Sequence, residues 1–81
     1  MTRDTIYTRL RDIGCSVETA DATAEALEGM NDNAVNGCIM WLCGYKWNEV
    51  CRIQHISKRD LSNAIGRALS NNRVIICDGT K

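Results

Sequence analysis

The sequence predicts a small all-α domain of about five short helices that include a helix-turn-helix, followed by a short C-terminal extended segment. Apolar residues recur at helical spacing along most of the 81 residues, and the chain contains no proline. Residues able to cap a helix N-terminus stand before four apolar stripes, at Thr2, Ser16, Asp32 and Ser57. A chain of this length forms one domain, so we expect residues 1–81 to share one core.

Two helices are predicted in the first third of the chain. The first runs from its cap at Thr2 to about Ile13, and the second runs from its cap at Ser16 to about Glu28. The apolar stripe of the second helix is rich in alanine, which indicates close packing on a neighbour. The stripes expected to face the core are Ile6, Leu10 and Ile13 in the first helix and Val17, Ala20, Ala24 and Leu27 in the second.

A third helix is predicted after the polar break at residues 31–33, with its cap at Asp32 and Gly44 beyond its last turn. Its apolar stripe is Val35, Ile39 and Leu42, widened by Cys38 and Trp41. We expect Trp41 and Trp47 to pack the third helix on the segment that follows, because so short a chain needs its large aromatic residues for the core.

The stretch from Lys46 to Leu69 predicts a helix-turn-helix. Val50 lies on the inner face of its first helix, and Ile56 follows in a tight turn. Ser57 stands where the second helix needs an N-cap, and Asp60 suits the positive end of that helix dipole. The residues that would face inward from the second helix are Leu61, Ile65, Ala68 and Leu69.

The opposite face of the second helix carries residue types that reach phosphates and base edges in a major groove. Ser57, at the start of the helix, is also a predicted DNA contact. The residues expected to face the groove are Lys58, Arg59, Ser62 and Asn63. The residues expected to contact phosphates are Lys46, Arg67 and Arg73. Arg59 and Asn63 lie four residues apart and are therefore neighbours on one helix face. Arginine pairs with guanine and asparagine with adenine, which makes these two the predicted base readers.

This stretch resembles the helix-turn-helix of small plasmid and phage regulators in the KorA/TrfB and PapB-like group. The residues that carry the resemblance are Gly44, Glu49, Val50, Cys51 and Arg52, then Ile56, Ser57, Lys58, Leu61, Ser62, Asn63, Ala64 and Ile65. The chain departs from the group at Lys46, where a capping Ser or Thr is usual, and at His55, where the turn usually has Gly. The resemblance implies a transcriptional regulator that binds double-stranded DNA.

Charge is unevenly distributed although the net charge is zero. Residues 1–40 carry three arginines against seven carboxylates, a net of −4, whereas residues 41–81 carry seven cations against three carboxylates, a net of +4. The basic half is therefore the half that contains the helix-turn-helix, as expected of a DNA-binding face.

The five cysteines form an odd set, and the polar N-terminus is unlike a signal peptide, so we expect a cytoplasmic protein without disulfides. A zinc site would have to use Cys38, Cys43, Cys51 and His55. The spacing of these residues is loose and includes no Cys-x2-Cys pair, so buried thiols are the favoured interpretation. We expect neither a metal nor another cofactor.

The run Arg73 to Cys77 is the only strand-like segment in the chain. It could pair with the same segment of a second copy, add as a strand to another protein, or pack on the helices as an extended tail. We predict that its three β-branched residues, Val74, Ile75 and Ile76, contact a second copy or a partner protein.

Together these features predict a sequence-specific DNA-binding regulator, a repressor of plasmid or phage type that acts as a dimer and reads the major groove with the helix starting at Ser57. The alternative is a small phage-type corepressor, an accessory protein that binds a larger repressor on its operator. No paired carboxylates, phosphate-binding loop or nucleophile–base arrangement indicates an enzyme. No apolar run is long enough to span a membrane.

Overall fold

Five α-helices make up most of residues 1–71, the part of the chain that the computed structural model describes. They are α1 (Arg3–Asp12), α2 (Val17–Leu27), α3 (Asp32–Leu42), α4 (Trp47–Gln54) and α5 (Lys58–Asn71). The predicted all-helical fold with a helix-turn-helix is confirmed. Within residues 1–71, no helix combines the length and apolar character that crossing a membrane requires. The predicted extended segment, with Arg73, Val74, Ile75 and Ile76, lies outside the described residues.

Side-chain caps begin four of the five helices. Thr2, Ser16 and Ser57 each accept a hydrogen bond from the backbone N–H three residues further on, at 3.1 to 3.2 Å, which confirms these predicted caps. The predicted cap of α3 was wrong by one residue. Asn31 is the cap, its side-chain oxygen accepting the N–H two residues on at 2.8 Å. Asp32 is the first helical residue, and its carboxylate pairs with the amino terminus of the chain.

The fifth helix is the element on which most of the others pack. α5 packs on α2, α3 and α4, while α1 reaches the core mainly through α2. The buried side chains of α5 are Leu61, Ala64, Ile65 and Ala68, and Leu69 is half-buried against them. This long helix therefore has one face fixed in the core, and its opposite face is held toward solvent.

Polar bonds tie α1 to the two helices beside it. The guanidinium of Arg3 pairs with the carboxylate of Asp21 in α2. The guanidinium of Arg9 donates to the side-chain oxygen of Asn36 in α3. These bonds link the first helix to both of the elements that follow it.

Three apolar residues that the sequence placed in the core are exposed instead. Ile13 and Val17 are 39% and 55% exposed, because they lie at the end of the α1–α2 hairpin, beyond its last buried residues. Trp47 is also exposed, because it is the first residue of the short helix α4. Trp41 is partly buried against the core, as predicted.

The close approach of α3 to the helix-turn-helix takes place at Gly37. A Cβ atom at this position would lie 3.0 Å from Ile56 Cδ1, 3.1 Å from Val50 Cγ1 and 3.2 Å from Leu61 Cδ1. A side chain here would therefore push against α4, the turn and α5 at the same time. Glycine is unfavourable in a helix interior, and here the contact with all three segments accounts for it. The spacing of apolar residues in the sequence does not mark Gly37 as a contact.

Candidate nucleic-acid interface

The turn between α4 and α5 is sharp, and a left-handed residue makes it so. His55 has φ 55° and ψ 46°, and the carbonyl oxygen of Cys51 accepts hydrogen bonds from the N–H groups of both His55 and Ile56. This conformation costs a residue with a Cβ atom more than it costs glycine. The departure at His55 therefore leaves the turn intact but strains it, and the half-buried Ile56 anchors it beside Gly37.

The exposed face of α5 presents the residues that the sequence predicted for DNA. Every predicted contact residue within residues 1–71 is exposed, namely Lys46, Ser57, Lys58, Arg59, Ser62, Asn63 and Arg67. The hydroxyl oxygen of Ser57 accepts the capping hydrogen bond, which leaves its O–H free to donate. The side chains on this face range from cations to small polar groups, a mixture able to contact both phosphates and base edges.

Within residues 1–71, the cations of this region are not neutralised by ion pairs. None of Lys46, Lys58, Arg59 and Arg67 forms an ion pair or a side-chain hydrogen bond with another described residue. Lys46 occupies the N-cap position of α4 but makes no side-chain cap, as its chemistry predicts. An exposed cation without an internal partner is available to a negatively charged ligand.

Three further polar groups lie beside Lys46 at the start of α4. Tyr45, Trp47 and Asn48 are exposed, and each can donate a hydrogen bond from its side chain. Sequence reasoning missed them because it assigned Trp47 to the core and gave Tyr45 and Asn48 no role. The signal that could have identified them is their position at the start of α4, the first helix of the helix-turn-helix.

A shallow groove of about 280 Å³ runs between the start of α3 and the start of α5. Its polar lining is Asn31, Asn33, His55, Asp60 and Asn63. The predicted base reader Asn63 therefore borders a surface rich in amide groups, which both donate and accept hydrogen bonds. Among the residues that the structure describes, no lysine or arginine lines this groove.

The cysteines lie in different environments. Burial raises the pKa of the Cys38 thiol to about 12, so this thiol stays protonated at neutral pH. Burial also raises the pKa of Cys15, assisted by the nearby Cys43 and opposed by Arg11. Within residues 1–71, no group of three cysteine, histidine or acidic side chains is gathered closely enough to hold a metal ion.

Comparison of the chain with protein-family models, curated proteins and solved structures found no match. The resemblance to the KorA/TrfB and PapB-like group therefore stays a prediction.

Proposed function

We propose that this chain is a sequence-specific DNA-binding regulator of transcription, a repressor of plasmid or phage type that reads the major groove with α5. The observation that carries the proposal is the exposed face of α5, where Lys58, Arg59 and Arg67 have no ion-pair partner among residues 1–71. The fold holds this helix from the opposite side through α2, α3 and α4. A rigidly supported helix with free cations suits insertion into a groove lined by phosphates.

The length of α5 sets which of its residues reach the bases. Its 14 residues span roughly 21 Å at a rise of about 1.5 Å each, whereas the major groove is about 12 Å wide. Only the first two turns therefore fit between the phosphate chains. Those turns contain Arg59, Ser62 and Asn63, which we assign to the base edges.

Phosphate contacts come from both ends of the groove-facing surface. We assign Lys46, Tyr45 and Asn48 to one phosphate chain, since they surround the exposed start of α4. We assign Arg67 to the other chain, because it lies two turns along α5 from Arg59. Such contacts set the position of the protein and make its affinity depend on salt.

Full operator recognition would require two copies. A single recognition helix contacts a few base pairs, and regulators of this architecture bind paired half-sites about one helical turn apart. We propose a homodimer, with Val74, Ile75 and Ile76 as its predicted contact. Removal of residues 73–81 should then weaken dimerisation in sedimentation equilibrium while leaving the helical content of residues 1–71 unchanged.

The test of DNA binding is selection from a pool of random duplexes of roughly 30 base pairs, long enough for two half-sites. We expect the purified chain to enrich one sequence that has two-fold symmetry. Its affinity for that sequence should fall steeply as the salt concentration rises. Retention of no duplex even at low salt would contradict the proposal. A chain that binds every duplex equally would contradict sequence-specific reading.

A second candidate, the corepressor, is favoured by the acidic face of α2. Glu18, Asp21 and Glu25 follow one another at spacings of three or four residues along its exposed side, and the exposed Glu28 is the C-cap residue of α2, three residues further on. Like charges at this spacing disfavour the helix, and within the described part of the chain only Asp21 has an ion-pair partner, Arg3. Such a face suits a basic partner protein and repels DNA. A gel shift that appears only when a larger repressor is already bound would support this candidate.

A further inference from the structure

The exposed face of α5 contains a glycine that the fold does not explain. Gly66 lies in the interior of α5 and is exposed, and apart from its chain neighbours and the backbone of its own helix no atom of residues 1–71 lies within 4 Å of the position that a Cβ would occupy. Its conformation is helical, so the backbone does not require glycine. Since glycine weakens a helix relative to alanine, this residue lowers the stability of the helix with no compensating contact among the described residues.

The packing of the fold explains the glycine at position 37, which also lies inside a described helix. At Gly37 a Cβ would meet three side chains at 3.0 to 3.2 Å, so the packing of the protein itself requires a missing side chain. At Gly66 the open space faces solvent instead. Any neighbour that fits against the bare backbone at Gly66 would therefore lie outside residues 1–71.

The position of Gly66 along α5 indicates what that neighbour is. It shares the exposed face with Ser62 and Asn63, four and three residues before it. It lies eight residues after Lys58, a distance of about 12 Å along the helix, which equals the approximate width of the major groove. A helix that enters the groove with its first turn therefore meets the opposite phosphate chain near Gly66.

We propose that Gly66 is a positioning residue for DNA, at which the sugar–phosphate chain passes against the bare backbone of α5. This inference rests on the proposed DNA-binding function. The missing side chain lets the helix sit at full depth in the groove. The guanidinium of the adjacent Arg67 then comes within reach of the same phosphates, and Arg59 comes within reach of the bases.

Close packing between α5 helices of two copies is the competing explanation, because Ser62 and Ser70 lie one turn to either side of Gly66. Charge argues against it. Such a pair would bring Lys58, Arg59 and Arg67 of one copy near the same cations of the other. The single acidic residue of this helix, Asp60, could not balance them.

The test uses Gly66→Ala and Gly66→Leu in the full chain, with Ser70→Ala as a control one turn further along the helix. Both glycine variants should raise the melting temperature, because alanine and leucine favour helices.

Affinity for the duplex that the wild-type chain selects should fall roughly tenfold for Gly66→Ala and further for Gly66→Leu. The dependence of log affinity on log salt should lose about one unit of slope, the amount expected for one phosphate contact. Ser70→Ala should leave affinity unchanged.

The outcomes separate this inference from the function on which it rests. If the wild-type chain binds DNA and Gly66→Ala binds as tightly, close approach at Gly66 is wrong and DNA binding stands. If the wild-type chain binds no duplex, both are wrong. Sedimentation equilibrium tests whether Gly66 instead lies at a contact between two copies of the chain. If the wild-type chain is a dimer and the glycine variants are monomers, Gly66 belongs to that contact and the proposal is overturned.

Discussion

The α1–α2 hairpin and the α4–α5 motif use their cations in opposite ways. In the hairpin, Arg3 pairs with Asp21, Arg9 bonds to Asn36, and Arg11 donates to the carbonyl oxygen of Cys15 at 2.9 Å. In the motif, five exposed cations have no partner among the described residues, namely Lys46, Arg52, Lys58, Arg59 and Arg67. The hairpin thus uses its positive charge within the fold, and the motif presents its positive charge to solvent.

This difference matters more for binding than for stability. Exposed ion pairs contribute about 0 to 1 kcal/mol each, so the bonds of the hairpin arginines add little to the free energy of unfolding. Their consequence is to lower the number of free cations on the acidic half. The positive potential is therefore concentrated on the motif even though the net charge of the chain is zero.

The largest expected effect comes from filling the contact that joins α3 to the motif. Gly37→Leu should lower the free energy of unfolding by about 3 kcal/mol, because the new side chain overlaps Val50, Ile56 and Leu61. Urea unfolding followed by circular dichroism measures the change. Gly66→Leu is the matched control, since it adds the same side chain to an open position. Equal stability of the two variants would mean that the packing at Gly37 is not close.

The comparison of cations is tested by removing one from each region. Arg59→Ala should weaken binding to the selected operator by about 1–3 kcal/mol and relax the preference at one base pair. Arg3→Ala removes the same charge from the hairpin and should change affinity by no more than about twofold, because distant exposed charges are screened. Titration in a gel shift measures both, after circular dichroism has established that the variants are folded. Equal losses would show that only total charge matters.

The buried thiol of α3 makes stability depend on pH. The folded chain keeps Cys38 protonated up to a pKa of about 12, above the value of 9.0 for a free thiol. In the unfolded chain the thiol ionises first, so the free energy of unfolding should fall as pH rises above 9, by about 1 kcal/mol at pH 10. Well below pH 9 the thiol is protonated in both states and contributes no slope. Urea unfolding of Cys38→Ala should show a shallower decline over this range, and parallel curves for both proteins would refute the burial of the thiol.

The smallest effect concerns the strained turn. His55→Gly should raise the free energy of unfolding by about 0.5–1 kcal/mol, because glycine adopts the left-handed conformation of this turn without strain. The gain is smaller than the strain removed, since glycine loses more conformational entropy on folding. Thermal unfolding measures the gain. Gly44→Ala makes the reverse change after α3, where φ is +104°, and should destabilise the chain. If His55→Gly were less stable than the wild type, the imidazole would make a compensating contact.

Local sequence signals predicted the elements well and their surroundings less well. The caps at Thr2, Ser16 and Ser57 were correct because a cap depends on groups within three residues of one another. The cap of α3 was displaced by one residue, since Asn31 and Asp32 are both able to cap and the choice depends on the distant amino terminus.

The sequence by itself determined five helices, the position of the helix-turn-helix, and the exposed polar face of α5. These follow from the spacing of apolar residues and from short-range hydrogen bonds, which a linear pattern encodes directly. The tertiary structure decided which cations were neutralised, why Trp47 is exposed, and how the two helical glycines differ. Those properties depend on neighbours far apart in the chain, such as Gly37 and Ile56, and only the packed fold brings such residues together.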